Sequence, residues 1–215
     1  MARITVLGGT GYAGSAVVAE AARRGHEVTS VSRHEPEQPV DGVQYVVGSA
    51  LDPDVLSDVV AGRDVVVEAV SPRGDMVGQE EVLVDRLIEL AASTETRLGV
   101  IGGASSLLVE EGGPRVFDVG EPPPPEVRPE IETGLAVLET LRGTTEDVDW
   151  FYVSPPLDFG AWVPAPDTGS YRLSEDVLLK DDEGSSTISA ADLARAILDE
   201  VEHPRFRRRR FHAAH

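Results

Sequence analysis

The segment Gly8-Gly9-Thr10-Gly11-Tyr12-Ala13-Gly14 constrains this 215-residue chain more than any other feature. It follows a short β-branched run, Arg3 to Leu7, and opens an alanine-rich stretch of helical periodicity. Glycines placed between a strand and a helix allow a tight turn and let the backbone approach a diphosphate without a Cβ in the way. Gly8 and Gly11 fit those two roles, and Gly14 would let the helix pack closely. The first N–H groups of such a helix have no intrahelical partner, and they sit at the positive end of its dipole. The loop therefore predicts a dinucleotide site whose cradle includes Gly8, Thr10, Gly11, Tyr12 and Gly14.

The following sequence alternates apolar runs with helical patterns. A helix is expected over Tyr12–Arg24, stopped by Gly25, with strands at Glu27–Ser32 and Val43–Val47. Asp52 caps a short helix over Pro53–Val60, where Pro53 takes the first position. Asp64–Glu68 is a fourth strand. Leu83, Leu87 and Leu90 place a buried stripe on a helix over Val77–Ala92, and Arg97–Ile101 is a fifth strand. Such alternation predicts an α/β, doubly wound parallel sheet, because right-handed crossovers place helices on both faces. Proline and glycine interrupt the pattern from Gly102 to Pro129. A helix then carries Ile131, Leu135, Leu138 and Leu141, followed by a sixth strand over Val148–Val153. Beyond it a hairpin is expected around Tyr171–Lys180, and a last helix opens at Ser189-Ala-Ala-Asp192. The chain is read as a single domain, with 1–153 the main cofactor-binding part and 154–215 a smaller substrate-side part.

The end of the second strand selects between nicotinamide cofactors. An acid there bonds the ribose 2′-hydroxyl of NAD, whereas arginine grips a 2′-phosphate with two donors. Val31-Ser32-Arg33-His34 thus favours NADP(H), with Ser32 and Arg33 as the reading residues and NAD(H) as the alternative. Asp52 is either at the adenine edge or only a helix cap. Ala69, Val70 and Ser71 end the fourth strand on the side where ligands lie in such sheets.

Composition excludes several chemistries. The absence of cysteine removes disulfides, thiolate nucleophiles and cysteine metal sites, and five scattered histidines leave no metal motif. A net charge of −19 argues against nucleic acid as a partner. The run Arg205, Arg207, Arg208, Arg209, Arg210 is expected to be a solvated, partly strand-like tail. No apolar stretch is long enough to span a membrane, and the N-terminus reads as a strand rather than a leader, so a cytoplasmic location is expected.

GGTGYAG followed by EAARRGHEVTSVSR resembles the atypical branch of the short-chain dehydrogenase/reductase-like proteins. Within that branch it resembles the NmrA-like and NADH-flavin reductase group related to biliverdin reductase B. Val100-Ile-Gly-Gly-Ala-Ser-Ser-Leu107, Asp149-Trp-Phe-Tyr-Val-Ser-Pro155 and Ile188-Ser-Ala-Ala-Asp192-Leu-Ala-Arg-Ala are similar to three further segments of that group, in the same order. The resemblance implies a Rossmann-type fold, a nicotinamide cofactor and reduction of a flavin, quinone or similar planar acceptor. It also places Ser105 and Ser106 where the superfamily's serine lies, and Pro155 beside the nicotinamide. Tyr152 is a candidate proton donor or a pocket wall. The superfamily's YxxxK pair is missing: Lys180 is the only lysine, and Asp176 stands four residues before it. A flavin or quinone accepts hydride directly and can take its proton from water, so a site without a protein acid is expected. The loop from Glu111 to Pro129 with Phe117, and the segment Phe159 to Trp162, are candidate walls for a small-molecule acceptor. A non-catalytic nucleotide sensor and a nicotinamide-using epimerase or lyase are the alternatives.

Overall fold

The computed structural model describes residues 1–119 and 122–215. In the N-terminal half, strands and helices alternate as β1 (Arg3–Leu7), α1 (Tyr12–Arg23), β2 (Glu27–Ser32), β3 (Gln44–Val47), α2 (Pro53–Val60), β4 (Val65–Glu68), α3 (Gln79–Thr94) and β5 (Arg97–Ile101). They continue as α4 (Arg128–Arg142), β6 (Trp150–Ser154), β7 (Arg172–Ser174), α5 (Ala190–Glu202) and β8 (Arg209–Ala214). Among the described residues the strands form one sheet in the order β3-β2-β1-β4-β5-β6-β8-β7. Every pairing is parallel except that of β7 with β8. This is a Rossmann-like doubly wound α/β fold.

Central strands covered on both faces must be apolar on both, and Val65, Val66 and Val67 of β4 are all buried. One core gathers Ile4, Val67, Phe151 and Phe211 beneath α1 and α5. The opposite core gathers Leu7, Val66, Val100 and Trp150 beneath α2, α3 and α4. The chain order reverses between β1 and β4, which opens a crevice at the strand C-termini.

Local signals placed most elements within two residues. Asp52 caps α2, accepting from the N–H groups of Asp54 and Val55 at 3.0 and 3.4 Å. Ser189 caps α5, accepting from the Asp192 N–H at 2.9 Å. One expectation fails in the C-terminal part and another holds only in part. The hairpin around Tyr171–Lys180 does not form: β7 pairs instead with β8, nearly forty residues later. The arginine run is solvated and partly strand, as expected, at Arg205, Arg207 and Arg209, which are exposed, but not at its end. It leads into β8, which is inserted between β6 and β7, and Arg210 is buried there with Phe211 and His212. The apolar residues Phe211, Ala213 and Ala214 fill a sheet position that the charges before them concealed.

Candidate functional site

A cleft of about 730 Å³ lies across the C-terminal ends of β1, β2, β4, β5 and β6. One end is the glycine loop. Gly8 has φ +79°, and a Cβ added to it would lie 2.7 Å from the Ala69 carbonyl oxygen. A Cβ on Gly14 would lie 2.3 Å from the Gly8 oxygen, so the close approach at Gly14 is between helix and loop. The turn is fixed by Gly8 N–H to Val31 O at 2.8 Å and Gly11 N–H to Gly8 O at 2.9 Å. Ser32 Oγ accepts from the Thr10 N–H at 3.1 Å. No side chain caps α1, and its first turn carries no acidic residue, so the positive helix end faces the cleft unneutralised. An anion fits such a cradle, and the residues present suit the diphosphate of a dinucleotide.

Gly8, Thr10, Gly11, Tyr12, Ser32 and Arg33 all line the cleft. Arg33 is half exposed and pairs with Asp75 at 2.6 Å. Ala69, Val70 and Ser71 form the floor beside the glycine loop. Asp52 is not among the cleft-lining residues; its carboxylate serves α2, while Ser49, Ala50 and Leu51 stand on the wall beside it.

The other end is aromatic. Tyr12 and Phe159 meet with ring centroids 5.1 Å apart. Trp162 is exposed, and the guanidinium of Arg73 lies 5.0 Å from its ring centre while bonding Glu130 at 3.0 Å. Pro155, Pro156 and Leu157 continue that wall, as do Gly160 and Ala161. Phe117 is not among the lining residues; it packs beneath Arg128 instead, 5.8 Å from that guanidinium. Of the loop from Glu111 to Pro129, Val127 reaches the cleft, and Gly120 and Glu121 lie outside the described residues.

A row of polar groups runs beneath the floor between the two ends, and Tyr152 reaches the cleft from it. Glu68, Val100, Tyr152 and Arg210 are successive register partners across β4, β5, β6 and β8. Register partners in a parallel sheet share a face, so this row carries an acid, a phenol and a guanidinium towards α3 and α4. Tyr152 is buried; its hydroxyl accepts from the Gly103 N–H at 3.2 Å and donates to the Gly134 carbonyl at 3.3 Å. Burial pushes its proton affinity up, which makes it a wall and a brace rather than an acid at neutral pH. Ser105 and Ser106 both line the cleft. Arg210 donates to Ser106 Oγ at 2.7 Å and to Asp176 at 3.0 Å. A hydroxyl that accepts from a guanidinium keeps its own proton free to donate, and Ser106 borders the cleft. Lys180 is exposed and is not among the lining residues.

Sequence reasoning missed two residues here, Glu80 lining the cleft and Glu68 sealed beneath it. Glu68 and Glu80, the latter in the first turn of α3, are both buried and lie close enough that a charge on Glu80 disfavours one on Glu68. Glu68 Oε1 accepts from the Val70 N–H at 2.7 Å, bracing the corner on which Gly8 rests. Glu68 had a signal, as a charged residue closing an all-valine strand. Glu80 had none, because acids are ordinary in the first turn of a helix.

A family model described as NAD(P)H-binding matches residues 8–204. YwnB of Bacillus subtilis (strain 168) is 35% identical over 97% of this chain and 96% of its own length. A candidate NADH-flavin reductase from Streptococcus pneumoniae TIGR4 is structurally similar with a TM-score of 0.88 at 30% identity, covering 100% of this chain and 99% of the other. A candidate epimerase from Bacteroides thetaiotaomicron gives a TM-score of 0.86 at 30% identity, over 100% of this chain and 98% of the other.

Proposed function

The chain belongs to the NAD(P)H-binding family, in its atypical dehydrogenase/reductase, NmrA-like group, and from that premise we propose that it is an NADPH-preferring reductase of a planar acceptor such as a flavin or quinone. The observation that carries this reading is the continuity of the cleft. A phosphate cradle at the glycine loop runs without a break into a chamber walled by Tyr12, Phe159 and Trp162. When bound, the reduced nicotinamide supplies two electrons with hydrogen as a hydride equivalent.

The protein's own residues bind and orient. The first N–H groups of α1 hold the diphosphate, and Ser32 and Arg33 border the place of a 2′-phosphate. The Arg33–Asp75 pair is exposed, and such pairs contribute about 0–1 kcal/mol, so a dianionic phosphate can displace Asp75 at little cost. Pro155 shapes the nicotinamide end. Ser105 and Ser106 stand where a polar edge of the nicotinamide or acceptor would lie, with Arg210 fixing the Ser106 hydroxyl. The aromatic walls stack against a planar ring and exclude water. Carbonyl reduction by a tyrosine-lysine pair does not suit this site, because Tyr152 is spent between Gly103 and Gly134 and Lys180 is remote. The partner is thus a small molecule. A cytoplasmic setting fits a nicotinamide-dependent activity, and among the described residues no helix is long and apolar enough to cross a membrane.

The test is spectrophotometric: purified protein, NADPH or NADH, and a panel of flavins and quinones. NADPH oxidation with at least one acceptor is expected. NADPH binding without reduction of any acceptor would replace the enzyme with a nucleotide sensor. Arg33→Ala is expected to weaken NADPH by roughly 10-fold or more, the worth of a charge-assisted contact, and to leave NADH nearly unchanged. Equal losses for the two cofactors would remove the 2′-phosphate assignment.

A further inference from the structure

We propose that Glu80 is the proton donor of this cleft, delivering its carboxyl proton to the acceptor while Glu68 holds it in place. The inference rests on the reductase reading and adds the acid that a tyrosine-lysine pair would otherwise supply. Glu80 is 1% exposed, yet it lines the cleft. Its Oε2 and the Oε2 of Glu68 are both buried without a hydrogen-bond partner among the described residues. A buried carboxylate with an unpaired oxygen costs far more than a neutral carboxyl in the same place, and a free O–H beside a ligand site can be satisfied by the ligand. Two carboxyls packed together in a buried site disfavour a second negative charge, so one of them keeps its proton.

The surroundings reinforce neutrality rather than charge. The groups facing Glu80 are Glu68 from β4, Glu81 from its own helix and the Tyr152 phenol from β6, with Arg210 of β8 beyond Tyr152. Glu130 of α4 reaches the same cleft but is taken by Arg73. Burial, with the charge of Glu81 behind it, pushes the Glu80 carboxyl up to about 8, the neighbouring Glu68 side chain offsetting part of this. Burial and the neighbouring Glu80 push Glu68 well above the carboxylate range as well. A general acid works best when its proton affinity lies near the working pH.

The step balances without a further reactant. The acceptor gains two electrons and one hydrogen from the reduced nicotinamide, which is oxidised. The Glu80 O–H bond breaks, and its proton goes to the acceptor oxygen or nitrogen that holds the new electron pair. The carboxylate then regains a proton from water at the mouth of the cleft. Glu68 is a positioning residue: its Oε1 is anchored on the Val70 N–H, which fixes the carboxyl packed against Glu80.

The experiment compares wild type with Glu80→Gln, which keeps the shape of the side chain but has no proton to give at neutral pH. With NADPH and menadione as probes, wild-type kcat is expected to fall as pH rises through about 8. Glu80→Gln is expected to be roughly 10²-fold slower with a flat profile, the usual worth of general acid catalysis, and to bind NADPH within twofold of wild type by calorimetry. Unchanged turnover with the wild-type profile overturns the inference and leaves the reductase standing. So does a weakened NADPH affinity with the profile intact, which would make Glu80 a cofactor ligand. If Glu80→Gln does not fold, Glu68→Leu serves: removing the polar side chain that holds part of the Glu80 rise in check should shift the limb to higher pH, and an unmoved limb counts against the pair. Infrared spectra give a readout independent of turnover. A protonated-carboxyl absorption at pH 7 that is lost above pH 8 and missing in Glu80→Gln supports the stored proton even if the wild type reduces nothing, and its absence overturns it.

Discussion

Asp75 shows how a single side chain tunes a site it does not build. It occupies Arg33 in the free protein through a contact in which both partners are largely exposed. A 2′-phosphate must take its place, so the acid acts as a weak competitor. Asp75→Asn should therefore tighten NADPH several-fold while leaving NADH and the melting temperature nearly unchanged, because exposed pairs contribute about 0–1 kcal/mol. Binding isotherms for both cofactors check this, and equal tightening of the two would show that Asp75 acts on the field of the whole cleft rather than on Arg33. Sequence could show the donor but not its competitor. Ser32 and Arg33 follow the glycines at a fixed strand position, whereas Asp75 comes from a 3₁₀ turn at Gly74–Met76, forty residues on. The same contrast separates Arg210 from its neighbours. Five arginines within six positions look alike as a string, and it is the pleat of β8 that turns Arg210 inward to Ser106 while Arg209 pairs with Glu175 at the surface.

At the scale of elements, the readable parts were those with local causes. Valine runs, a Pro53 after a capping Asp52 and a serine cap at Ser189 each specify structure within a few residues. The failure at β7 has the opposite cause: its partner β8 is distant in sequence, and no local pattern encodes such a pairing. Helix α5 joins the two regimes. Asp192, fully buried, accepts from the Thr168 N–H at 2.9 Å, from Ser189 Oγ at 3.0 Å, from Arg195 at 2.5 Å and bonds His215 at 2.8 Å. One carboxylate thereby ties the helix start to the loop before β7 and to the residue that follows β8. Burial pushes its proton affinity up, but the Thr168 N–H, His215, Ser189 and Arg195 outweigh that and bring it down to about 2. A lowered folded pKa means stability that is present above the ordinary value of 3.8 and lost as pH falls towards 2. Asp192→Ala should cost about 3 kcal/mol at pH 7, within the range for breaking a buried charged network, and should flatten the acid limb of urea midpoints between pH 4 and pH 2. An acid limb as steep as that of the wild type would deny Asp192 this role.

For the whole molecule, the acid surplus and the buried acid pair pull stability in the same direction for different reasons. With 38 acidic against 19 basic residues, self-repulsion grows as the surface carboxylates ionise. The Glu68–Glu80 pair adds a second term. Glu80 has a folded pKa near 8 against 4.5 for a free side chain, so between those values the folded protein binds the extra proton. Stability must then fall as pH rises through that window, by up to about 1.4 kcal/mol per unit, and level off above it. Salt separates the two terms. Surface repulsion is screened over about 10 Å at 0.1 M, while a pair sealed beneath α3 is screened far less. Urea denaturation from pH 5 to pH 9 should accordingly show a decline that high salt reduces but does not abolish in the wild type. In Glu80→Gln the salt-resistant part should disappear, leaving the variant more stable than wild type at pH 9 and no more stable at pH 4.5. A wild-type decline fully removed by salt would mean that the pair loses no proton on unfolding, and that the acid facing the cleft is ionised after all.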